Sequence, residues 1–269
     1  MDDFEYNDYK FRKIINDLLV GLNFNVKTRF NNNVRKSDQP IIFYGNHINE
    51  FDQFIVTSCT NIMIHWITNI DSLDSKLGGV YKLMKSIPND ESVNNLASSY
   101  LKVGSSIGIF PEMGINIPSR EKIHELYSDL RSGLTYEGYE RLLNDTNVKL
   151  SQILLLQKLF RDNKISEDIY QKGLLSTELI LYECVEKGII TEEEFDDALL
   201  LQFNDNFLNN YKGSNATILP FAVTSNALNS SDIVINFGEL LEMDDIKDDA
   251  SNILRGKVLE LVKQGERMN

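Results

Sequence analysis

The sequence predicts an α/β fold in which a mostly parallel sheet is covered by helices, with an α-helical segment inserted into it. In the first part of the chain, short apolar runs typical of buried strands alternate with segments of helical periodicity. Strand signals are missing from residues 119–213, where the apolar patterns are helical, and they resume at Ala216. We therefore predict an α/β domain built from residues 1–118 and 214–269 and interrupted by a helical insertion at residues 119–213.

The composition indicates a globular protein and argues against nucleic acid as a partner. The chain has 269 residues, of which 42% are hydrophobic and 10% aromatic, enough to bury one large core or two modest ones. The formal net charge is -13 and the pI is about 4.7, so we expect no nucleic acid partner. The same charge argues against broad attraction to anionic lipid, so any membrane contact must be local and apolar.

Cysteine content and hydropathy predict a cytoplasmic protein. Cys59 and Cys184 have no paired spacing, so we expect neither a disulfide framework nor a metal site. The N-terminus is acidic and lacks the apolar core of a signal peptide. A run of about eighteen apolar residues, which would predict a spanning helix, is also missing.

The N-terminal region predicts an amphipathic helix followed by a strand. Residues 11–24 carry apolar side chains at helical spacing, and the helix is expected to end near Gly21. Packing of this helix on the sheet is favoured over an interfacial membrane anchor, which stays open as the alternative. The alternating run 24–30 then predicts a strand with one buried face. The apolar positions of the helix are Phe11, Ile14, Ile15, Leu18, Leu19 and Leu22.

The remaining α/β segments follow the same alternation of strands and helices, which is typical of a parallel sheet covered by helices. The predicted strands are 41–44, 62–68, 107–110, 217–224 and 232–237. The predicted helices are 53–60, 72–84, 92–103 and about 245–264, with a short element at 86–88.

The insertion contains three similar helix-turn-helix segments, at 130–139, 160–170 and 185–195. Each ends one helix at Gly or Asn and starts another at Thr or Ser, which are the residues preferred at these caps. Thr191 with Glu194 forms the pattern of a capping box. We interpret the insertion as a lid or a partner surface, and the chain could form oligomers through it.

The strongest functional pattern follows the apolar run 41–44, which stops at Gly45. The next residues read Asn-His-x-x-x-x-Asp and are delivered at the carboxyl end of a strand, where open α/β sheets bind ligands. If a helix starts just after Asn46, His47 and Asp52 lie about one and a half turns apart, within reach of each other. A carboxylate on one ring nitrogen fixes the tautomer and leaves the other nitrogen to take a proton. The alternative is a histidine that caps a helix and an aspartate on its solvated face.

This motif resembles the first motif of the glycerolipid acyltransferase superfamily, whose best known members acylate lysophosphatidate. Ile107-Gly-Ile-Phe-Pro-Glu112 resembles that family's Phe-Pro-Glu-Gly motif, again directly after a strand. Ile218-Leu-Pro-Phe-Ala-Val223 is similar to its fourth motif, and Phe237-Gly-Glu239 is similar to a strand end near the close of these domains. The resemblance covers residues 25–116 and 214–245 and implies a glycerol-3-phosphate acyltransferase-like α/β fold.

The resemblance also implies an activity and roles for particular residues. A fatty acyl group would pass from acyl-CoA or acyl carrier protein to a hydroxyl of a lysophospholipid or other lipid acceptor, without a metal or a further cofactor. His47 would be the general base, and Asp52 would orient the ring and stabilise the imidazolium. The protein would work in the cytoplasm, with peripheral contact at the inner face of the membrane as a further possibility. The implied substrate-binding residues are Asn46, Phe110, Pro111, Glu112 and Gly114, with Glu112 in the acceptor site.

The sequence departs from the family where a phosphate would be bound. Glu91 stands in the place of the usual arginine, and Met113-Gly114-Ile115 replaces Gly-Thr-Arg. Phosphate recognition depends on cationic donors, above all arginine forks, so the usual phosphate clamp is missing from both motifs. Nearby cationic residues that could compensate are Lys82, Lys85, Arg120 and Lys122.

Two explanations follow from these departures. Either the acceptor is a neutral lipid, glycolipid or other alcohol, or the chain is a catalytically weak or inactive lipid-binding or scaffold protein. A third hypothesis is a hydrolase that uses the same histidine and aspartate on water. It ranks lower because the serines near the motif, such as Ser58, do not form a nucleophile elbow.

Overall fold

The computed structural model describes residues 3–30, 34, 39–112, 149–203, 208, 211, 214–226, 229–246 and 249–266. The chain divides into two compact units. The first combines Met1–Pro111 with Phe203–Asn269, and the second is Glu112–Gln202. The insertion predicted at 119–213 overlaps this second unit. The first predicted helix pair, at 130–139, lies outside the described residues, as do Arg120 and Lys122.

The elements of both units follow in chain order. The first unit begins with α1 (Asp3–Asn23), β1 (Asn25–Arg29), β2 (Ile41–Gly45), α2 (Asp52–Ser58), β3 (Ile64–Thr68), α3 (Ile70–Leu73), α4 (Gly78–Leu83), β4 (Ile87–Pro88), α5 (Val93–Lys102) and β5 (Ser106–Ile109). The second unit contains α6 (Leu150–Arg161), α7 (Glu167–Leu175), α8 (Thr177–Glu186) and α9 (Glu192–Leu199). The first unit closes with β6 (Thr217–Asn226), β7 (Asn229–Phe237), β8 (Leu241–Glu242), a 3-10 helix at Met243–Ile246 and α10 (Ala250–Glu266).

The described strands form a mixed sheet in the order β1-β7-β6-β2-β5-β3-β4, with β8 paired to β6. The strands β2, β3, β4, β5 and β6 all run in the same direction. β7 runs against β6, and β1 runs parallel to β7, so this edge of the sheet is reversed. The predicted class, a mostly parallel α/β sheet covered by helices, is confirmed. The carboxyl ends of the parallel strands share one edge, which is where the two sequence motifs begin.

The central strand β2 explains why its sequence is apolar throughout. All five of its residues are buried, and Ile42 pairs with Ile107 of β5 on one side and Ile218 of β6 on the other. A parallel strand with helices on both faces has no solvent side, so a continuous apolar run replaces the alternating pattern.

Helix α1 buries only part of the face that its apolar pattern predicts, and it buries polar residues beside it. Asn16 is fully buried and its Nδ2 donates to the carbonyl of Phe54 in α2 at 2.9 Å, and Arg12 is 8% exposed. Ile15, Leu19 and Val20 pack against the core. The other apolar side chains of the predicted face form an exposed row, which we call the apolar stripe of α1: Phe11 (58% exposed), Ile14 (60%), Leu18 (57%) and Leu22 (80%). Within the described part of the chain, no helix has the length and apolar character needed to cross a bilayer.

Two predicted helices differ from the structure. The helix expected at 72–84 is wrong, because the chain forms α3 and α4 with a turn between them. Gly78 N–H donates to the carbonyl of Ser75 at 2.9 Å in this turn, and a Cβ on Gly78 would collide with the Leu73 carbonyl. The last helix begins at Ala250 rather than near residue 245, because Met243–Ile246 forms a 3-10 helix.

The second unit has a helical core and the helix caps that its sequence predicts. Ser166 caps α7 through its side chain, and Thr191 with Glu194 forms a complete capping box at α9. Asn163 and Gly188 adopt positive φ angles of 55° and 66° in the turns before these helices. The core buries Ile153, Leu156, Leu159, Ile165, Tyr170, Leu174, Ile180, Leu181, Cys184 and Ile190.

Candidate active site

His47 and Asp52 meet just beyond the carboxyl end of β2. His47 Nδ1 lies 2.9 Å from Asp52 Oδ2. The same oxygen accepts the backbone N–H of Ile48 at 2.6 Å and of Asn49 at 2.9 Å. The Asp52 side chain is fully buried, whereas the His47 side chain is 21% exposed. The carboxylate therefore holds the imidazole at Nδ1, and Nε2 is the nitrogen that could exchange a proton with a substrate.

The expectation that a helix starts just after Asn46 is wrong. Helix α2 begins at Asp52 with Phe51 as its N-cap, and residues 47–49 are not helical. The pair therefore joins a loop residue to the first residue of a helix. In a helix the N–H groups align with the axis, whereas this loop turns two of them toward the carboxylate.

Further contacts hold the loop between β2 and α2. The Tyr81 hydroxyl donates to the Glu50 carbonyl at 3.1 Å, and Asn49 Oδ1 accepts the Phe51 N–H at 2.7 Å. Burial, with the neighbouring Glu50 charge, raises the pKa of Tyr81 to about 12, so its hydroxyl stays protonated and keeps donating. The Tyr81 ring also stacks on Phe54 of α2 at a centroid distance of 5.1 Å.

Asn46 connects the motif to the neighbouring strand β6. Its Nδ2 donates to the Val223 carbonyl at 2.9 Å, and its Oδ1 accepts the Val223 N–H at 2.8 Å. The side chain is 3% exposed and continues the β2–β6 ladder at the point where β2 ends. Gly45, one residue earlier, pairs with Phe221, and a Cβ there would lie 2.5 Å from both its ring and its carbonyl. The sequence motif therefore begins directly after a position where Phe221 leaves no room for a side chain.

Phe110 lies against the face of the His47 ring. The two ring centroids are 4.4 Å apart with an interplanar angle of 22°. Trp66 of β3 stacks on Phe110 at 4.8 Å and 10°. Phe221 contacts Phe110 edge-on at 6.0 Å. The predicted Phe-Pro-Glu motif thus reaches the predicted histidine through its first residue.

The other predicted site residues have different positions. Pro111 is buried directly after Phe110. Glu112 is half-buried and is the first residue of the second compact unit. Gly114 lies outside the described residues. The structure therefore brings together Asn46, His47, Asp52 and Phe110, and the roles assigned to the other residues stay predictions.

Sequence reasoning missed the groups that support this site from within the sheet. Trp66 is the one tryptophan in the sequence and is 2% exposed. It pairs in register with Gly108 of β5, and its ring occupies the space that a Gly108 side chain would fill. Glycine inside a strand pattern indicates close approach of another group, so Gly108 was a usable signal.

The region in which Glu91 replaces the usual arginine is acidic in the structure. Asp90 and Glu91 follow β4, the strand that runs parallel to β3, and Glu91 is exposed. Asp90 Oδ1 accepts from the N–H and the hydroxyl of Ser92, and these bonds lower the pKa of this carboxyl group. Lys82 Nζ lies 3.7 Å from an Asp74 oxygen, and Lys85 Nζ lies 3.5 Å from an Asp8 oxygen. Among the described residues, no group of three or more His, Cys, Asp or Glu side chains could hold a metal ion.

Comparison with solved structures identifies a protein of similar fold. The chain is similar to the 1-acyl-sn-glycerophosphate (LPA) acyltransferase PlsC from Thermotoga maritima, with a TM-score of 0.56 at 12% sequence identity. The match covers 100% of this chain and 83% of that chain. No protein-family model and no curated protein sequence matches this chain. At this identity the similarity establishes a shared fold, which confirms the fold that the motifs implied.

Proposed function

We propose that this chain is an O-acyltransferase that moves a fatty acyl group from acyl-CoA or acyl carrier protein to a hydroxyl of a lysophospholipid or other lipid acceptor. The observation that carries the proposal is the contact between His47 Nδ1 and Asp52 Oδ2 at the carboxyl end of β2. The fold is shared with an enzyme named as an acyltransferase, which favours this chemistry over other uses of a histidine and an aspartate.

The proposed reaction is a direct transfer. His47 Nε2 takes the proton of the acceptor hydroxyl as its oxygen attacks the thioester carbonyl carbon. The tetrahedral intermediate then collapses, the C–S bond breaks, and the leaving thiolate receives the proton from the imidazolium. Asp52 stabilises the imidazolium from Nδ1 without itself taking the proton. The products are an ester and a free thiol.

The remaining motif residues would shape the substrate site. Glu112 is proposed for the acceptor site because it follows Phe110 and Pro111 directly, and Phe110 touches the His47 ring. Gly114 belongs to the same motif and is proposed as part of this site. Asn46 would hold the site in place, because its side chain joins the end of β2 to β6.

The acceptor is proposed to lack a phosphomonoester. Asp90 and Glu91 follow the carboxyl end of β4, as His47 follows the carboxyl end of β2. Two carboxylates repel a phosphate. A neutral lipid, a glycolipid or another long-chain alcohol is therefore favoured over a lysophosphatidate.

The apolar stripe of α1 is proposed to dock on a lipid surface. Its four side chains are 57–80% exposed. The C-terminal end of α1 lies close to the loop between β2 and α2, because the ring centroids of Phe24 and Phe51 are 5.4 Å apart. A lipid surface is favoured over a second copy because each chain carries a net charge of -13, so two copies repel each other. Lipid substrates would then be delivered at the same end of the helix as His47.

The direct test is thiol release from long-chain acyl-CoA or acyl carrier protein, measured with a panel of lipid alcohols and lysophospholipids. Wild type is expected to release thiol only with an acceptor, and His47→Ala should lower the rate by about 10²-fold to 10⁴-fold because the base is removed. His65→Gln is the matched control, since His65 is a buried histidine of the same sheet whose Nδ1 contacts the Lys85 carbonyl.

Three outcomes separate the hypotheses. Equal rates for folded His47→Ala and wild type would exclude the proposed mechanism. No release with either donor would favour the scaffold function, in which the second unit recruits a partner. Release without any acceptor that is lost in His47→Ala would indicate a hydrolase.

A further inference from the structure

The His47 ring needs more than its hydrogen bond to Asp52 to be held in one orientation. A hydrogen bond at Nδ1 fixes the position of one atom, but it allows the ring plane to turn about the axis of that bond. The direction of Nε2 then varies, and proton transfer requires a defined direction. Phe110 removes this freedom because its ring lies 4.4 Å from the His47 ring centroid, at an angle of 22°.

Phe110 is itself supported by a residue that no motif contains. Trp66 lies parallel to it within 10°, at a centroid distance of 4.8 Å, so the three rings form a stack. Trp66 Nε1 donates to Thr57 Oγ1 at 2.9 Å, and this hydroxyl donates to the Gln53 carbonyl at 2.7 Å. Thr57 and Gln53 belong to α2, the helix that begins with Asp52. The same helix therefore anchors both the carboxylate and the far end of the stack.

The stack also depends on the absence of a side chain at position 108. Gly108 pairs in register with Trp66, and a Cβ at this position would collide with three atoms of the Trp66 ring system. A larger residue in β5 would push the indole away from Phe110. Gly108 is buried in a central strand, where glycine has no conformational advantage over other residues, so the close approach of the indole explains it.

We infer that Trp66 and Gly108 are positioning residues for the proposed acyl transfer. They act through Phe110 to set the plane of the His47 ring and so the direction of Nε2. The kinetic consequence rests on the proposed function, whereas the orientation of the ring does not.

The first test measures the ring directly. In NMR spectra of the full chain labelled at histidine, the His47 ring protons should shift upfield, because they lie over the face of Phe110. The signal is assigned by its loss in His47→Ala, since the chain contains three histidines. Trp66→Leu should reduce this upfield shift, and Trp66→Phe should keep most of it. Gly108→Ala should reduce it as well and should change the near-ultraviolet circular dichroism of the single tryptophan.

The second test is kinetic. Trp66→Leu is expected to lower kcat by about 10-fold to 100-fold, with KM for the acyl donor changed by less than about 2-fold, because an orientation effect acts on the chemical step. Trp66→Phe should recover most of kcat. Phe237→Leu is the control, since it also removes a buried aromatic ring. The Phe237 ring packs on the Phe43 ring at a centroid distance of 6.5 Å. This variant should leave kcat per folded molecule unchanged.

The inference is overturned if folded Trp66→Leu keeps the wild-type His47 shifts, or if Phe237→Leu loses as much kcat as Trp66→Leu. If wild type shows no transfer with any donor and acceptor, the proposed function fails. The NMR comparison then still decides whether Trp66 orients His47.

Discussion

Asp52 Oδ2 lies 2.9 Å from His47 Nδ1 while it also accepts the N–H groups of Ile48 and Asn49. One buried oxygen therefore sets both the path of the loop and the position of the imidazole. Because the carboxylate has these two tasks, its removal should lower both the stability of the chain and the rate of the proposed reaction.

Replacing the carboxylate tests this relationship. Asp52→Asn keeps the size of the side chain but removes the charge that stabilises an imidazolium and selects the ring tautomer. We expect kcat for the proposed acyl transfer to fall by about 10³-fold to 10⁴-fold, and the unfolding free energy to fall by about 1–3 kcal/mol as bonds to the charged oxygen weaken. Thiol release and urea unfolding measure the two effects.

Asp71→Asn is the control for that substitution, because Asp71 is an exposed aspartate in the first turn of α3. It should keep the wild-type rate. A wild-type rate for Asp52→Asn would show that the pair is structural and that its chemistry is not used.

The two hydrogen bonds between Asn46 and Val223, which join the end of β2 to β6, should increase the free energy of unfolding. Asn46→Ala leaves the N–H and the carbonyl of Val223 without the side-chain partner that each has now. We expect a loss of about 2–4 kcal/mol in the free energy of unfolding, measured with urea. Asn46→Asp should also destabilise, because a carboxylate accepts from the N–H but cannot donate to the carbonyl.

Asn95 provides the comparison for Asn46, because it is an exposed asparagine on α5. Asn95→Ala should change stability by less than about 0.5 kcal/mol. Equal stability of Asn46→Ala and wild type would show that the Asn46 amide is not needed to close the sheet at this point.

His65 should make stability depend on pH below neutrality. Burial lowers its pKa from 6.5 to about 4, against a smaller opposite effect of its bond to the Lys85 carbonyl. The unfolded chain therefore binds this proton more readily than the folded chain. The stabilisation is complete above pH 6.5 and is lost as the pH falls from about 6.5 toward 4, with a slope of up to about 1.4 kcal/mol per pH unit.

The measurement compares wild type and His65→Gln in urea unfolding at several pH values across this range. Carboxyl groups that titrate in the same range contribute to both proteins, so the difference isolates His65. The difference in unfolding free energy should shrink toward acid pH, and a constant difference between pH 7 and pH 4.5 would contradict the prediction.

The capping box of α9 should stabilise that helix locally. Thr191→Ala removes the oxygen that accepts the Glu194 N–H at 3.1 Å. We expect the first turn of α9 to lose about 1 kcal/mol, measured as faster amide hydrogen exchange at Glu194. Thr191→Ser keeps the hydroxyl and should exchange at close to the wild-type rate. Identical exchange in the alanine and serine variants would show that the cap does not limit opening.

The apolar stripe of α1 should bind neutral bilayers. A variant with serine at Phe11, Ile14, Leu18 and Leu22 should lose flotation with phosphatidylcholine vesicles, because the apolar area that enters the interface is removed. Leu96→Ser with Val103→Ser is the control, since both side chains are exposed elsewhere on the first unit. If the serine variant floats as wild type does, the stripe is not the lipid-binding surface. If the variant has a lower mass in solution than wild type, the stripe mediates self-association instead.

Features that depend on neighbours along the chain could be predicted from the amino-acid sequence. The continuous apolar run of β2 predicts a strand buried on both faces, and the cap residues of the second unit predict helix starts at Ser166 and Thr191. The pattern Asn-His-x-x-x-x-Asp after an apolar run predicted that His47 and Asp52 meet, and they do so across a loop and not along the expected helix. Local periodicity and short-range hydrogen bonding carry this information.

Contacts between residues that are distant in sequence could be identified only in the folded structure. The partner of Asn46 is Val223, 177 residues away, and its identity follows from the strand order of the sheet. The buried face of α1 includes Asn16, which donates to a backbone carbonyl in α2, so the periodic apolar pattern identified only Ile15 and Leu19 of this face. The stack of His47, Phe110 and Trp66 joins a loop, a strand end and a strand, and no sequence period relates them. Such contacts form only when the sheet has assembled, because packing of non-local surfaces and not local backbone preference determines them.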